Sequence, residues 1–89
     1  MTSILVICTG NAARSVMAGA WLRDRRPDLD VQTAGTLTLD GQPISWRPRE
    51  ALARVGLAAR DHRSQQIRAH HVERADLVLG DLAQDTAHD

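Results

Sequence analysis

The chain opens with an apolar, β-branched run, Ser3-Ile4-Leu5-Val6-Ile7, that passes directly into Cys8-Thr9-Gly10-Asn11-Ala12-Ala13-Arg14-Ser15. A run that is apolar at nearly every position suits a strand covered on both faces of a parallel sheet, whereas strict alternation would suit a half-exposed one. After the Gly-Asn turn a helical pattern runs from residue 13 to 26 and stops at Pro27. A strand entering a helix through a short Gly-containing turn aims the first helix amides, and the positive end of the helix dipole, at one point. Such a point binds anions, and Cys8 stands at its mouth.

The residue types in the turn extend that chemistry. A nest of amides that stabilises an anion also stabilises a thiolate, so the Cys8 thiol is expected well below its free value of about 8.5. Arg14, six positions on, can close the loop over one oxyanion, because a guanidinium grips two phosphate oxygens at once. Gly10 is expected to supply a positive φ, and Asn11 to hold a left-handed turn and bond across the loop. Ser15 can donate its hydroxyl to the Cys8 sulfur. On this reading Thr9, Gly10, Asn11, Ala12, Ala13 and Arg14 bind phosphate, and Cys8, Arg14 and Ser15 are the catalytic residues. A lone Cys at a strand end is ordinarily a small buried hydrophobe. It is the assembly of buried strand, Cys, Gly-Asn turn, Arg-Ser and helix that singles this one out.

The rest of the chain continues the alternation. A second strand is expected over residues 31–34, ended by Gly35, and a loop over residues 36–43. A helix follows over residues 47–55, with Ala51, Leu52 and Val55 inward and Gly56 as its stop. Ser64 is expected to cap a third helix through residue 73, and residues 76–80 to form a third buried strand. In the first helix Met17, Ala18, Trp21 and Leu22 mark the inward face. Strand, helix, strand, helices, strand predicts an α/β fold: a three-layer α/β/α arrangement with a parallel sheet, in one domain over residues 1–89. Phe and Tyr are absent, and Trp21 and Trp46 are the only aromatics, so the core must be aliphatic.

Eleven basic residues, all Arg, balance eleven acidic ones, so no overall attraction to nucleic acid or to an anionic membrane is expected. The run Ile4–Ile7 is too short to cross a bilayer, and the single cysteine excludes an internal disulfide. A cytoplasmic location is the expectation. His70-His71 does not suggest a metal site, since adjacent helical residues point about 100° apart and zinc needs three or four ligands.

Taken together these residues resemble the low-molecular-weight protein tyrosine phosphatase and arsenate reductase superfamily. Beyond the loop, Thr33-Ala34-Gly35-Thr36 is similar to the family's Ser-Ala-Gly-Thr. Gly41-Gln42-Pro43 with Arg47 resembles its Gly-x-Pro and Asp-Pro-Arg, and Gly56-Leu57 its Gly-Ile. His62-Arg63-Ser64-Gln65-Gln66 resembles its His-Lys/Arg-Ala-Arg-Gln, and Asp76-Leu77-Val78-Leu79 its Asp-x-Ile-Leu. The resemblance implies sheet order 2-1-3 and a cysteinyl-phosphate mechanism. It also implies a phosphorylated protein or small aryl phosphate as substrate, no cofactor, and support of the loop asparagine by His62.

The chain departs from the family as well. It is expected to lack the family's fourth strand, last helices and Asp-Pro loop, whose aspartate is the general acid; Asp40, Asp85 and Asp89 are the candidate replacements. Ala13 stands where eukaryotic members carry a second cysteine, and Trp46 is the one aromatic available as a wall. Without a fourth strand the third becomes an apolar edge, which predicts a homodimer paired there. Arsenate reduction with an external thiol, or phosphate binding without turnover, are the alternative functions.

Overall fold

The computed structural model describes residues 1–59 and 61–80. Three parallel strands form a sheet of order β2-β1-β3, with β1 Ser3–Cys8 in the centre, β2 Asp30–Gly35 on one side and β3 Leu77–Leu79 on the other. Ile4 pairs with Val31 and Cys8 with Gly35 on one edge of β1, while Ile4 pairs with Leu77 and Val6 with Leu79 on the other. The central strand therefore delivers Cys8 to the carboxyl end of the sheet, the place where open α/β sheets bind ligands.

Helix α1, Arg14–Arg25, follows at once and packs on the face carrying Ile4, Val6 and Val31, which Leu22 and Leu29 help to cover. Helix α2, Trp46–Arg54, packs on α1 through a cluster of Val16, Ala20, Ile44 and Leu52. Its end is a Schellman motif: Leu57 N–H donates to Leu52 O at 2.8 Å and Gly56 N–H to Ala53 O at 3.1 Å, with Gly56 at φ 77°. Helix α3, Ala69–Arg74, lies on the other face, where His70, His71 and Arg74 line a cavity together with Leu5 and Gln32.

Four expectations are corrected. The fully buried face of α1 is Ser15, Val16, Gly19 and Ala20; of the expected inward residues Met17 and Leu22 pack half-buried against the core, whereas Ala18 and Trp21 are exposed. A Cβ on Gly19 would stand 2.7 Å from Thr33 Cγ2, so the helix approaches β2 too closely for a bulky residue. Trp21 rotates outward and lies under the Arg25 guanidinium, 5.2 Å from the ring centre. In α2 only Leu52 of the three expected residues is buried; Ala51 and Val55 face solvent.

The third helix begins at residue 69, not at Ser64. The amides that would start it are taken elsewhere: Gln65 N–H donates to Asn11 Oδ1, Gln66 N–H to Asp40 Oδ1, and Ile67 N–H to Gly35 O, each at 2.8 Å. Ser64 instead ties down the 36–43 loop, donating from Oγ to Leu39 O at 2.6 Å and accepting from Gln42 N–H at 2.9 Å. Finally, β3 is not buried: Leu77, Val78 and Leu79 are 51%, 38% and 40% exposed among the described residues.

Gly35 is where the sheet, the Cys8 turn and the following loop meet. A Cβ there would lie 2.7 Å from Thr9 O, a backbone atom, and 2.8 Å from Thr38 Cγ2. Gly35→Ala is expected to cost about 1–3 kcal/mol through forced backbone displacement. Gly10→Ala, which meets nothing within 4 Å, should stay within about 0.5 kcal/mol. Urea unfolding of the two variants beside the parent checks both.

Candidate active site

The loop is built around Asn11, which is fully buried and sits at φ 51°. Among the described residues it is the non-glycine in the left-handed region, as expected of it, whereas Gly10 does not take the positive φ expected there. The strain of that backbone is offset by a saturated side chain. Nδ2 donates to Ser15 Oγ and to Thr33 Oγ1, each at 2.9 Å, and Oδ1 accepts from Gln65 N–H at 2.8 Å. The Asn11 carbonyl contacts His62 Nε2 at 2.7 Å. Thr33 and Gln65 stand in the family-like segments, but nothing in the sequence marked their part in the loop, because that part lies in what they bond across the chain.

Cys8 is buried at the end of β1 with its sulfur facing the first turn of α1. Ser15 Oγ lies 3.1 Å from Sγ, and Ser15 N–H donates to Sγ at 3.4 Å. Because Asn11 Nδ2 already occupies an acceptor lone pair of Ser15 Oγ, the hydroxyl hydrogen can turn to the sulfur when Cys8 is ionised. Burial pushes the Cys8 thiol up. The Ser15 hydroxyl, the Ser15 and Asn11 amides and the Arg14 charge outweigh it, so the thiol is held below its ordinary value. Helix α1 carries no side-chain cap and no acid in its first turn, so nothing there opposes an anion at its N-terminus.

The surroundings are pinned to this loop from both sides. Thr36 N–H donates to Cys8 O at 2.9 Å and Leu37 N–H to Thr9 O at 3.0 Å, while Ser45 N–H donates to Ala12 O at 3.1 Å. The last contact sets Trp46, 58% exposed, one residue from the loop. Asp40 is engaged elsewhere: its carboxylate takes a hydrogen bond from Arg68 at 2.8 Å and the Gln66 amide, which hold it below the usual carboxylate range. An acid so stabilised as its anion is a poor proton donor. Asp85 and Asp89 lie outside the described residues.

The parallel sheet of order 2-1-3 carries Cys8 at the end of its central strand and Arg14 at the first position of the helix that follows. Residues 3–88 match the family described as low molecular weight phosphotyrosine protein phosphatase, and the chain belongs to that family. It is 43% identical over 77 residues to a probable low molecular weight protein-tyrosine-phosphatase, EpsP, of Ralstonia solanacearum, covering 86% of this chain and 53% of that protein. An arsenate reductase of Staphylococcus xylosus is 36% identical over 78 residues, covering 86% of this chain and 57% of its own length. Among solved structures the YwlE arginine phosphatase of Geobacillus stearothermophilus superposes with a TM-score of 0.88 at 32% identity, covering 99% of this chain and 57% of that one. The chain thus spans about half the length of the curated relatives it matches.

Ser15→Ala removes the hydroxyl that favours the thiolate and should raise the Cys8 pKa. Alkylation by iodoacetamide near pH 6.5 is expected to slow several-fold, while wild type and variant converge in alkali where both are ionised. Rate against pH for the two proteins reads the shift directly.

Proposed function

We propose that the chain acts on phosphate monoesters through Cys8, and the observation that carries this reading is the ionisable sulfur held by the Ser15 hydroxyl and amide at the N-terminus of α1. The thiolate attacks phosphorus, the ester P–O bond breaks, and a cysteinyl-phosphate forms. Water then attacks phosphorus, the P–S bond breaks, and phosphate leaves with Cys8 restored. Arg14 binds the equatorial oxygens of the transferring group, the loop amides of residues 9–14 bind the rest, and the Ser15 hydroxyl stabilises the departing thiolate. His62 supports the loop through the Asn11 carbonyl. The similarity to an arsenate reductase supports a second reading, in which arsenate occupies the same loop. Cys8 is the one cysteine of these 89 residues, so in that reading the electrons come from a thiol outside them.

Asp40 being committed to Arg68 bears on substrate choice. A positioned acid is worth about 10²–10⁴ in rate when the leaving oxygen must be protonated. Nitrophenolate leaves without that help, whereas the tyrosine phenol, with a pKa near 10, needs it. Asp40 is therefore not proposed as that acid, and the ratio of the rates on p-nitrophenyl phosphate and on a phosphotyrosine peptide reads whether another group supplies the proton. Among the described residues no helix is long and apolar enough to cross a membrane, and self-association through β3, whose Leu77, Val78 and Leu79 are open, is proposed alongside. Sedimentation showing a monomer at high concentration would remove that part.

Steady-state rates on p-nitrophenyl phosphate and a phosphotyrosine peptide test the reading. Cys8→Ser is expected to abolish turnover and keep oxyanion binding, and Arg14→Lys to weaken both, since the two-point grip is lost. Equal rates for wild type and Cys8→Ser would refute the mechanism. Arsenate-dependent thiol oxidation without ester hydrolysis would favour the reductase reading.

A further inference from the structure

Helix α3 lies on the face of the sheet away from α1, yet one of its side chains is wired to the phosphate loop. His71 is held at both ring nitrogens. Its Nδ1 accepts from the Arg68 amide at 2.9 Å and so carries no proton, which leaves the proton on Nε2, 3.2 Å from Gln65 Oε1. Gln65 uses every other polar group it has on the loop and its frame. Its amide N–H donates to Asn11 Oδ1 at 2.8 Å, its side-chain Nε2 donates to Thr33 O at 2.8 Å, and its carbonyl accepts from Gly35 N–H at 2.8 Å. Asn11 in turn orients Ser15, and Ser15 the sulfur.

Resting on the phosphate-loop reading of Cys8, we propose that His71 is a positioning residue for that loop, acting through Gln65, and that its protonation loosens the loop in mild acid. An imidazolium carries a hydrogen on each nitrogen, so Nδ1–H would confront the Arg68 N–H, donor against donor. Either α3 gives up the bond at its first turn or the ring swings away, and in the second case Gln65 loses the partner that fixes its amide.

The groups facing His71 set where this happens. On its own helix are the His70 ring, 4.1 Å away between centroids, and Arg74, with Arg68 at the helix start. Asp40 faces it from the 36–43 loop, paired with Arg68, and Asp30 of β2 lines the same cavity of about 230 Å³. Burial, then the charges of His70, Arg68 and Arg74, push His71 below the ordinary histidine value, against a smaller upward pull from Asp40. With the folded pKa depressed, the neutral ring's contribution to stability is complete above the unfolded value of about 6.5 and is lost as pH falls through the folded one.

The test is an NMR titration of the full chain from pH 8 to pH 5, paired with Cys8 alkylation. His71 ring nitrogens are expected to show the Nε2–H tautomer at the alkaline end. The Gln65 amide and Asn11 side-chain amide resonances should shift with the His71 midpoint rather than with that of His62, which touches the Asn11 carbonyl. His71→Ala should slow Cys8 alkylation several-fold near pH 7.5. His71→Gln, whose amide can still donate to Gln65 Oε1, should restore it and lose the acid-dependent step. Asn11 and Gln65 signals that follow His62, or that stay fixed while His71 titrates, overturn the proposal, as does equal Cys8 reactivity in wild type and His71→Ala. Failure of inorganic phosphate to protect Cys8 would instead sink the phosphatase reading and leave the titration result standing.

Discussion

Everything at the carboxyl end of this sheet depends on one buried amide side chain. An unsatisfied polar group in that position would cost a few kcal/mol, and a non-glycine at positive φ adds further strain. Asn11 is kept there because its side-chain amide is bonded on both ends: to Ser15 and Thr33 through Nδ2, and to the Gln65 amide through Oδ1. The network has direction. By donating to the Ser15 oxygen, Asn11 leaves that hydroxyl's hydrogen for the Cys8 sulfur, so the geometry of a backbone turn becomes an electrostatic property of a thiol. Networks of this kind stand or fall as units.

The sequence made the central strand, the turn and the start of α1 legible, because strand apolarity, Gly-Asn turn chemistry and helix periodicity all point the same way over residues 3–26. The sheet order came from the family resemblance, and the structure has it. What the sequence hid was decided by contacts between distant segments. Helical periodicity marked Trp21 as an inward residue, yet Gly19 against Thr33 is what sets the rotation of α1. Residues 64–67 look like a capped helix start, but their amides bond to Asn11, Asp40 and Gly35, and a segment whose donors are spent cannot begin a helix. Propensity invited a positive φ at both Gly10 and Asn11, and Asn11 alone of the two takes it, because its side chain has partners to gain.

The core is thin in a particular way. With both tryptophans outside, each beside an arginine, the described residues hold two small aliphatic clusters, one where α1 meets the sheet and one where α2 packs on α1, with Leu5 and Ala34 buried besides. Close backbone approach at Gly19 and Gly35 stands in for the large rings the sequence does not have. Dense hydrogen bonding across the 36–43 loop and residues 64–67 does the remaining work of fixing geometry around Cys8.

The span of those bonds carries a temporal consequence. Asn11 meets Gln65 across 54 positions, His62 across 51 and Thr33 across 22. Contacts so far apart close late, after their loop entropy has been overcome. Strand β1 and helix α1 can therefore be in place while the bonds that fix Asn11 in the turn between them are still unformed. In this chain the surroundings of Cys8 report how far folding has gone: a molecule whose Asn11 is fully bonded has already docked His62 and Gln65 against its own beginning.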